Sequence, residues 1–174
     1  AYDNDPLQKI KYCAIIEKAI KECRLVSGTY WGEDHKGCMV GQIGHNGRHE
    51  KFALLTHIPL WLARLLDAIF EGLDDNERQR FAYDVMNAIP VGFSDWKNLY
   101  HKTCLFNLET ICCDTDNPAI RKEFDLIVAL HKAQETGDDI WDSAAHSAYS
   151  AAYSAARSTA LSKIAKNLIA ELKN

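Results

Sequence analysis

The sequence contains no apolar run that approaches the length of about 20 residues that a membrane-spanning helix needs. Its first residues, Ala1 to Asp5, are polar and do not resemble a signal peptide. The 20 Lys and Arg are scattered along a chain of net charge -4, so no long basic face indicates a nucleic-acid partner or an anionic membrane. We therefore expect a soluble, cytoplasmic protein with no membrane contact, for which a nucleic-acid partner is unlikely.

Four common catalytic motifs are also missing from the sequence. There is no G-x-x-x-x-G-K-[ST] phosphate loop, no G-x-G-x-x-G after a strand, no H-E-x-x-H and no G-x-S-x-G. Nucleotide-dependent and common hydrolytic mechanisms lose most of their support, and no cofactor is expected.

The cysteines do not indicate a disulfide framework, although their number, six, is even. Five of them lie in apolar helical patterns, where a free thiol behaves as a small hydrophobe. These five are Cys13, Cys23, Cys104, Cys112 and Cys113. We expect them to be reduced core residues of a cytosolic protein.

Helical periodicity extends over most of the 174 residues. Asp5 followed by Pro6 predicts a helix start, because aspartate caps open N–H groups and proline fits the first turn; this helix is predicted to run to about Leu25. One buried apolar stripe is predicted along it, formed by Leu7, Ile10, Ala14, Ile16, Ile20 and Cys23. Apolar residues spaced by three and four predict further helices beginning near Ile58, Asp74, Ser94 and Asn117. The sequence therefore predicts an all-α, single-domain bundle of about six helices over residues 1–174.

Residues 29–56 interrupt this periodicity. Glycines recur there at short intervals, and glycine permits turns that other residues avoid. We predict one long, structured, glycine-rich loop, with short strands at residues 38–40 and 52–55. A loop of this length is often functional, and the alternative is a packed connection without a site.

Residues 138–174 contain neither glycine nor proline and include an alanine and serine run between Ser143 and Ser158. Because alanine is the strongest helix former, we predict one long helix of about 35 residues, near 50 Å. Serines spaced by three and four keep small side chains in one band, which lets another helix approach closely. This helix either packs within the domain or contacts a protein partner or second copy, aided by Tyr149 and Tyr153.

Chemistry-bearing residues are concentrated in the glycine-rich loop and the apolar segment after it. Cys38 lies among glycines, where its sulfur can be reached from solvent, and a cysteine nucleophile needs a base and a group that orients the base. The candidate catalytic residues are Cys38, His45, His57 and Asp67, with His49 and Glu71 as further choices for base and orienting group. The alternative is a packed loop thiol.

The spacing of potential metal ligands does not indicate a zinc site. Structural zinc sites usually show paired ligands two to four residues apart, and only His45 and His49 come close to that pattern, without a second pair. We therefore predict no metal site. Asp67 and Glu71 lie four residues apart on one helical face, a spacing that favours a salt bridge or a cap over acid–base catalysis.

Two segments carry a resemblance to other proteins. The stretch G-C-M-V-G at residues 37–41, His45, and I-P-L-W-L-A-R-L-L-D-A-I-F-E-G-L at residues 58–73 resemble an uncharacterised group of bacterial and phage proteins. Those proteins also end in an alanine-rich, tyrosine-containing helix. The group has a second cysteine shortly after the first, where this chain has Gln42, and this difference argues against a site that requires both thiols. The resemblance implies no activity.

We expect a non-enzymatic helical interaction protein of phage or mobile-element origin. It would bind a protein partner or self-associate through the helix between Ser143 and Ser158. The alternative is a small cysteine-dependent enzyme that uses Cys38 and a nearby histidine on an acyl or thioester-like substrate.

Overall fold

The computed structural model describes the backbone of residues 1–32, 34–45, 48–111 and 159–173, together with residue 128. This part of the chain holds seven α-helices and no strand, after a 3₁₀ turn at Tyr2–Asn4. The helices are α1 (Pro6–Lys21), α2 (Met39–Gly44), α3 (Arg48–Thr56), α4 (Leu60–Gly72), α5 (Asp75–Ala88), α6 (Trp96–Ile111) and α7 (Thr159–Lys173). The predicted all-α class is confirmed.

The chain divides into two compact units. The first comprises Ala1–Ser94 and Leu168–Asn174, and the second comprises Asp95–Asn167. Helices α1 to α5 belong to the first unit, α6 belongs to the second, and α7 contributes to both. The prediction of a single domain over residues 1–174 stays a prediction.

Helix α1 begins as predicted, because the Asp5 side chain accepts the Leu7 N–H at 2.8 Å. Its buried face differs from the predicted apolar stripe. The buried residues of α1 are Tyr12, Cys13, Ile16 and Ala19, whereas Leu7, Ile10 and Ala14 are exposed. The helix carries apolar residues on two faces, and packing against α2 and α5 selects one of them.

The glycine-rich loop is shorter than the predicted 29–56. Residues 39–44 and 48–56 form α2 and α3, so the predicted strands at 38–40 and 52–55 are wrong. A single β-bridge, between Leu25 and Gly37, is the one strand-like pairing in the described residues. Position 41 of α2 requires glycine because the helix packs closely against Tyr30. A Cβ there would lie 1.7 Å from the Tyr30 carbonyl oxygen.

Helices α4 and α5 pack against each other in the first unit. The helix predicted to begin near Asp74 is capped by this residue, because the Asp74 side chain accepts the N–H groups of Asn76 and Glu77 at 3.0 and 2.9 Å. Arg78 is 7% exposed and donates to the carbonyl oxygens of Phe70 at 3.0 Å and Leu73 at 2.7 Å. These bonds satisfy carbonyls at the end of α4, which fixes the helix that carries Asp67 and Glu71.

Among the described helices, none by itself has the length and hydropathy to cross a membrane. Helices α3 and α4 pass that test only when taken together, and they are bent by 118° at the break between them.

Several predictions concern residues outside the described part of the chain. These are the helix predicted from Asn117, Cys112 and Cys113, and the segment from residue 138 to residue 158. The described end of the predicted C-terminal helix, Thr159–Lys173, is helical. The prediction that Cys23 is a core residue is wrong, because Cys23 is exposed.

Candidate functional site

Cys38 lies at the end of the loop formed by residues 22–38 and caps α2. The loop is tied back on itself, with the Gly37 N–H donating to the Arg24 carbonyl at 2.9 Å and the Cys38 N–H donating to the Thr29 carbonyl at 2.9 Å. The Cys38 sulfur accepts the Gly41 N–H at 3.4 Å. Cys38 is only 1% exposed, so the expectation of a solvent-accessible sulfur is wrong.

Helix α4 brings two carboxylates to this thiol. Asp67 and Glu71 are four residues apart on α4, and one ligand atom each from Cys38, Asp67 and Glu71 lie within 4.8 Å of one another. Glu71 Oε2 also accepts the Gly28 N–H at 2.6 Å, which attaches the loop to α4. Three potential metal ligands therefore meet where α2, α4 and the loop come together.

His49 of α3 completes the arrangement from the other side of Asp67. Its Nε2 lies 2.9 Å from Asp67 Oδ2, and the Tyr30 ring meets the His49 ring edge-on with centroids 5.6 Å apart. We refer to the five residues Tyr30, Cys38, His49, Asp67 and Glu71 as the Cys38 cluster. All five lie in the first compact unit.

Two buried polar atoms in the Cys38 cluster have no hydrogen-bond partner of ordinary geometry within the described structure. They are the Tyr30 hydroxyl and Asp67 Oδ1. An unpartnered buried polar group costs about 1–3 kcal/mol of stability, so native proteins rarely leave one without a reason. The hydrogen bonds within the cluster therefore do not account for these two buried atoms.

The electrostatics of the cluster keep its thiol protonated. Burial raises the pKa of Cys38 well above its ordinary value, and the neighbouring Asp67 carboxylate raises it further. Burial likewise raises the pKa of Glu71, and the nearby charge of Asp67 acts in the same direction. The cluster thus brings the half-buried Asp67 and the exposed Glu71 to a buried thiol.

The predicted catalytic residues are only partly brought together. Cys38 and Asp67 are neighbours, but His45 is exposed and packs its ring against Trp31, with centroids 4.6 Å apart. His57 is exposed just after the end of α3. The histidine that reaches the cluster is His49. Its position depends on α3, a helix that the sequence pattern did not indicate.

The order of groups differs from that of an activated cysteine. A cysteine nucleophile needs its base within hydrogen-bond reach of the sulfur, with a third group behind the base. Here Asp67 lies next to Cys38, and His49 lies behind Asp67. A carboxylate beside the sulfur opposes formation of the thiolate, so this geometry does not activate Cys38.

A second surface feature lies on α1. Leu7 is 72% exposed and Ile10 is 62% exposed, on the face of α1 that does not pack into the first unit. Further along the same helix, a groove of 540 Å³ opens between α1 and α5. Ile20 and Tyr83 contribute to its lining, and Tyr83 is itself 41% exposed. We call Leu7, Ile10, Ala14 and this groove the α1 surface.

Comparison with protein-family models, with curated proteins and with solved structures finds no match to this chain. The resemblance to bacterial and phage proteins stays a prediction.

Proposed function

We propose that this protein is a non-enzymatic helical protein that works by binding another protein, and that the α1 surface is part of the contact. The observation that carries the proposal is the exposure of Leu7 and Ile10, three residues apart on one face of α1. Single exposed apolar residues are common, whereas a row that continues into a groove is typical of a contact site.

The energetics favour a contact of moderate strength. Fully burying a leucine or isoleucine side chain contributes about 1.5–3 kcal/mol. Ala14 lies one turn beyond Ile10 on the same face, and its small side chain lets a partner helix come close. Lys21 and Arg80 line the groove together with Glu17, so its polar rim carries charges of both signs. Such a rim favours a partner that also carries both signs, and a second copy of this chain meets that condition.

A cysteine-dependent enzyme receives less support. The Cys38 thiol is buried, its pKa is raised by that burial, and a carboxylate separates it from His49. These features protect a thiol, whereas catalysis needs a thiolate that substrate can reach.

Three further parts of the proposal rest on the sequence. The alanine-rich helix between Ser143 and Ser158 is proposed as a second contact surface, and a phage or mobile-element origin is proposed from the resemblance. A cytoplasmic location is supported by the four described cysteines, which are all unpaired, as expected where the cell keeps thiols reduced.

Analytical ultracentrifugation of the full chain over a wide concentration range tests self-association through α1. We expect the wild-type chain to dimerise, and we expect L7E/I10E to raise the dissociation constant at least tenfold, about 1.4 kcal/mol, because two charges replace exposed apolar side chains that the dimer would bury. Leu54→Glu is the matched control, since Leu54 is 73% exposed but lies on α3. A wild-type chain that stays monomeric at every concentration contradicts self-association, as does equal weakening by the control.

A further inference from the structure

We infer that Cys38, Asp67 and Glu71 form a binding site for a divalent transition-metal ion, and that zinc is the ion whose ligand preferences fit the set. Zinc accepts thiolate sulfur and carboxylate oxygen together, whereas magnesium and calcium avoid sulfur. The site is separate from the α1 surface and goes beyond the proposed function. His49 acts as a positioning residue through its hydrogen bond to Asp67.

The separations fit an ion after small side-chain movements. In tetrahedral zinc sites with Zn–S of about 2.3 Å and Zn–O of about 2.0–2.2 Å, ligand atoms lie roughly 3.5 Å apart. The three candidate ligand atoms lie within 4.8 Å of one another. Zinc binding therefore requires side-chain rotations that bring them about 1 Å closer. The backbones are already fixed: Cys38 by its bond to Thr29, and both carboxylates by α4.

One oxygen of each carboxylate has a hydrogen-bond partner. Asp67 Oδ2 is held by His49, while the buried Oδ1 has no hydrogen-bond partner in the described structure. Glu71 Oε2 is held by the Gly28 N–H, which leaves Oε1. Ligating carboxylates in metal sites are typically hydrogen-bonded in this way through their other oxygen, which orients them toward the ion.

Charge points to a cation as well. In their coordinating forms Cys38, Asp67 and Glu71 carry three negative charges, and in the described ion pairs no lysine or arginine side chain binds either carboxylate. A divalent ion offsets most of this charge. On binding, the Cys38 S–H bond breaks, its proton passes to water, and the sulfur electron pair forms the bond to zinc.

Ligand spacing in the sequence does not predict this site, for a physical reason. The ligand-spacing rule applies to sites built from short loops, whereas here the nearest ligands in sequence, Asp67 and Glu71, are carboxylates on a helix. Cys38 reaches them only because Gly41 allows α2 to pack closely against Tyr30.

The test is zinc binding by the full chain after chelator treatment, measured by competition with a chromophoric chelator. We expect one zinc ion per chain in the wild type and a rise in melting temperature when zinc is added. Cys38→Ser and Glu71→Gln should weaken binding strongly. His49→Gln should weaken it by about 10–100-fold, as loss of an outer hydrogen bond does. Serine is a preferred N-cap residue, so Cys38→Ser is expected to keep α2 folded, which circular dichroism checks.

Cobalt reports directly whether a thiolate sulfur binds the metal, which an affinity measurement does not. A cobalt-loaded wild type should show a sulfur-to-cobalt charge-transfer band, and Cys38→Ser should lose it. Cys23→Ser is the matched thiol control, because Cys23 is exposed and outside the cluster. Less than stoichiometric zinc in the wild type overturns the inference. So does equal zinc affinity of Cys38→Ser, Cys23→Ser and the wild type, which would place any bound ion elsewhere.

Discussion

The chemistry of a cysteine depends on the surroundings of its sulfur, and the four described cysteines differ in theirs. Cys23 is exposed, whereas Cys13, Cys38 and Cys104 are buried. Burial raises the pKa of each of these three thiols, and a raised pKa lowers the fraction of reactive thiolate. Low accessibility and a raised pKa therefore both lower the reactivity of the three buried thiols.

We predict that iodoacetamide modifies Cys23 of the native, metal-free chain at the rate of an ordinary thiol, while Cys13, Cys38 and Cys104 are protected. Peptide mass spectrometry over a pH series measures each rate. In urea the rates should become similar, which controls for the chemistry of the reagent. Rapid and selective modification of Cys38 below pH 7 would instead support the cysteine-dependent enzyme.

Arg78 is a second residue whose burial decides its role. We predict that Arg78→Ala lowers the free energy of unfolding by about 2–4 kcal/mol, because two buried carbonyl oxygens at the end of α4 lose a charged donor. Urea denaturation measures the change. Arg80→Ala is the control: the Arg80 side chain is 85% exposed and its pair with Asp84 is expected to contribute less than about 1 kcal/mol. Equal effects of the two substitutions would contradict the assigned role of Arg78.

At the scale of the element, α2 shows how tertiary contact overrides local preference. The helix contains Gly41 and Gly44, and each glycine in a helix interior costs about 1 kcal/mol relative to alanine. Local propensity therefore opposes this helix. Its stability comes from packing against the loop and α3, since all six of its residues are buried.

We predict that Gly41→Ala destabilises the fold, although alanine is the better helix former. The added Cβ would lie 1.7 Å from the Tyr30 carbonyl oxygen, a backbone atom that moves only with the loop, and overpacking of this kind costs about 1–3 kcal/mol or more. Gly44→Ala is the matched control, because its nearest atom lies 3.4 Å away. Chemical denaturation should show a loss for the first variant and little change for the second. Stabilisation by Gly41→Ala would disprove the close contact.

At the scale of the whole molecule, the α1 surface and the Cys38 cluster lie in the same compact unit but share no residue. We predict that they act independently: L7E/I10E should bind zinc as the wild type does, and Cys38→Ser should self-associate as the wild type does. Effects at separate sites without shared partners are usually additive. Ultracentrifugation and chelator competition on both variants measure this, and a zinc-dependent change in dimer affinity would show that the sites are coupled.

Much of the helical organisation was predictable from sequence. The Asp5 cap and the helix start near Asp74 are confirmed, because capping depends on neighbours only two or three residues away. The predicted loop over residues 29–56 is wrong in part for the opposite reason: its glycines serve close packing against Tyr30 and Phe52, contacts that a local pattern does not contain.

The candidate site was predictable as a set of residue types but not as an arrangement. Cys38 and Asp67 were identified, while His45 and His57 were preferred to His49. The direction in which a histidine points depends on the helix that carries it, and α3 was not predicted.

The sequence by itself determined the all-α class, the starts of α1 and α5, and the supply of thiol, imidazole and carboxylate groups. It did so because periodicity and capping are local properties of the chain. Only the tertiary structure decided which face of α1 is buried, that Cys38 is inaccessible, and that Asp67 stands between Cys38 and His49. These depend on contacts between residues far apart in sequence, where packing outweighs local preference.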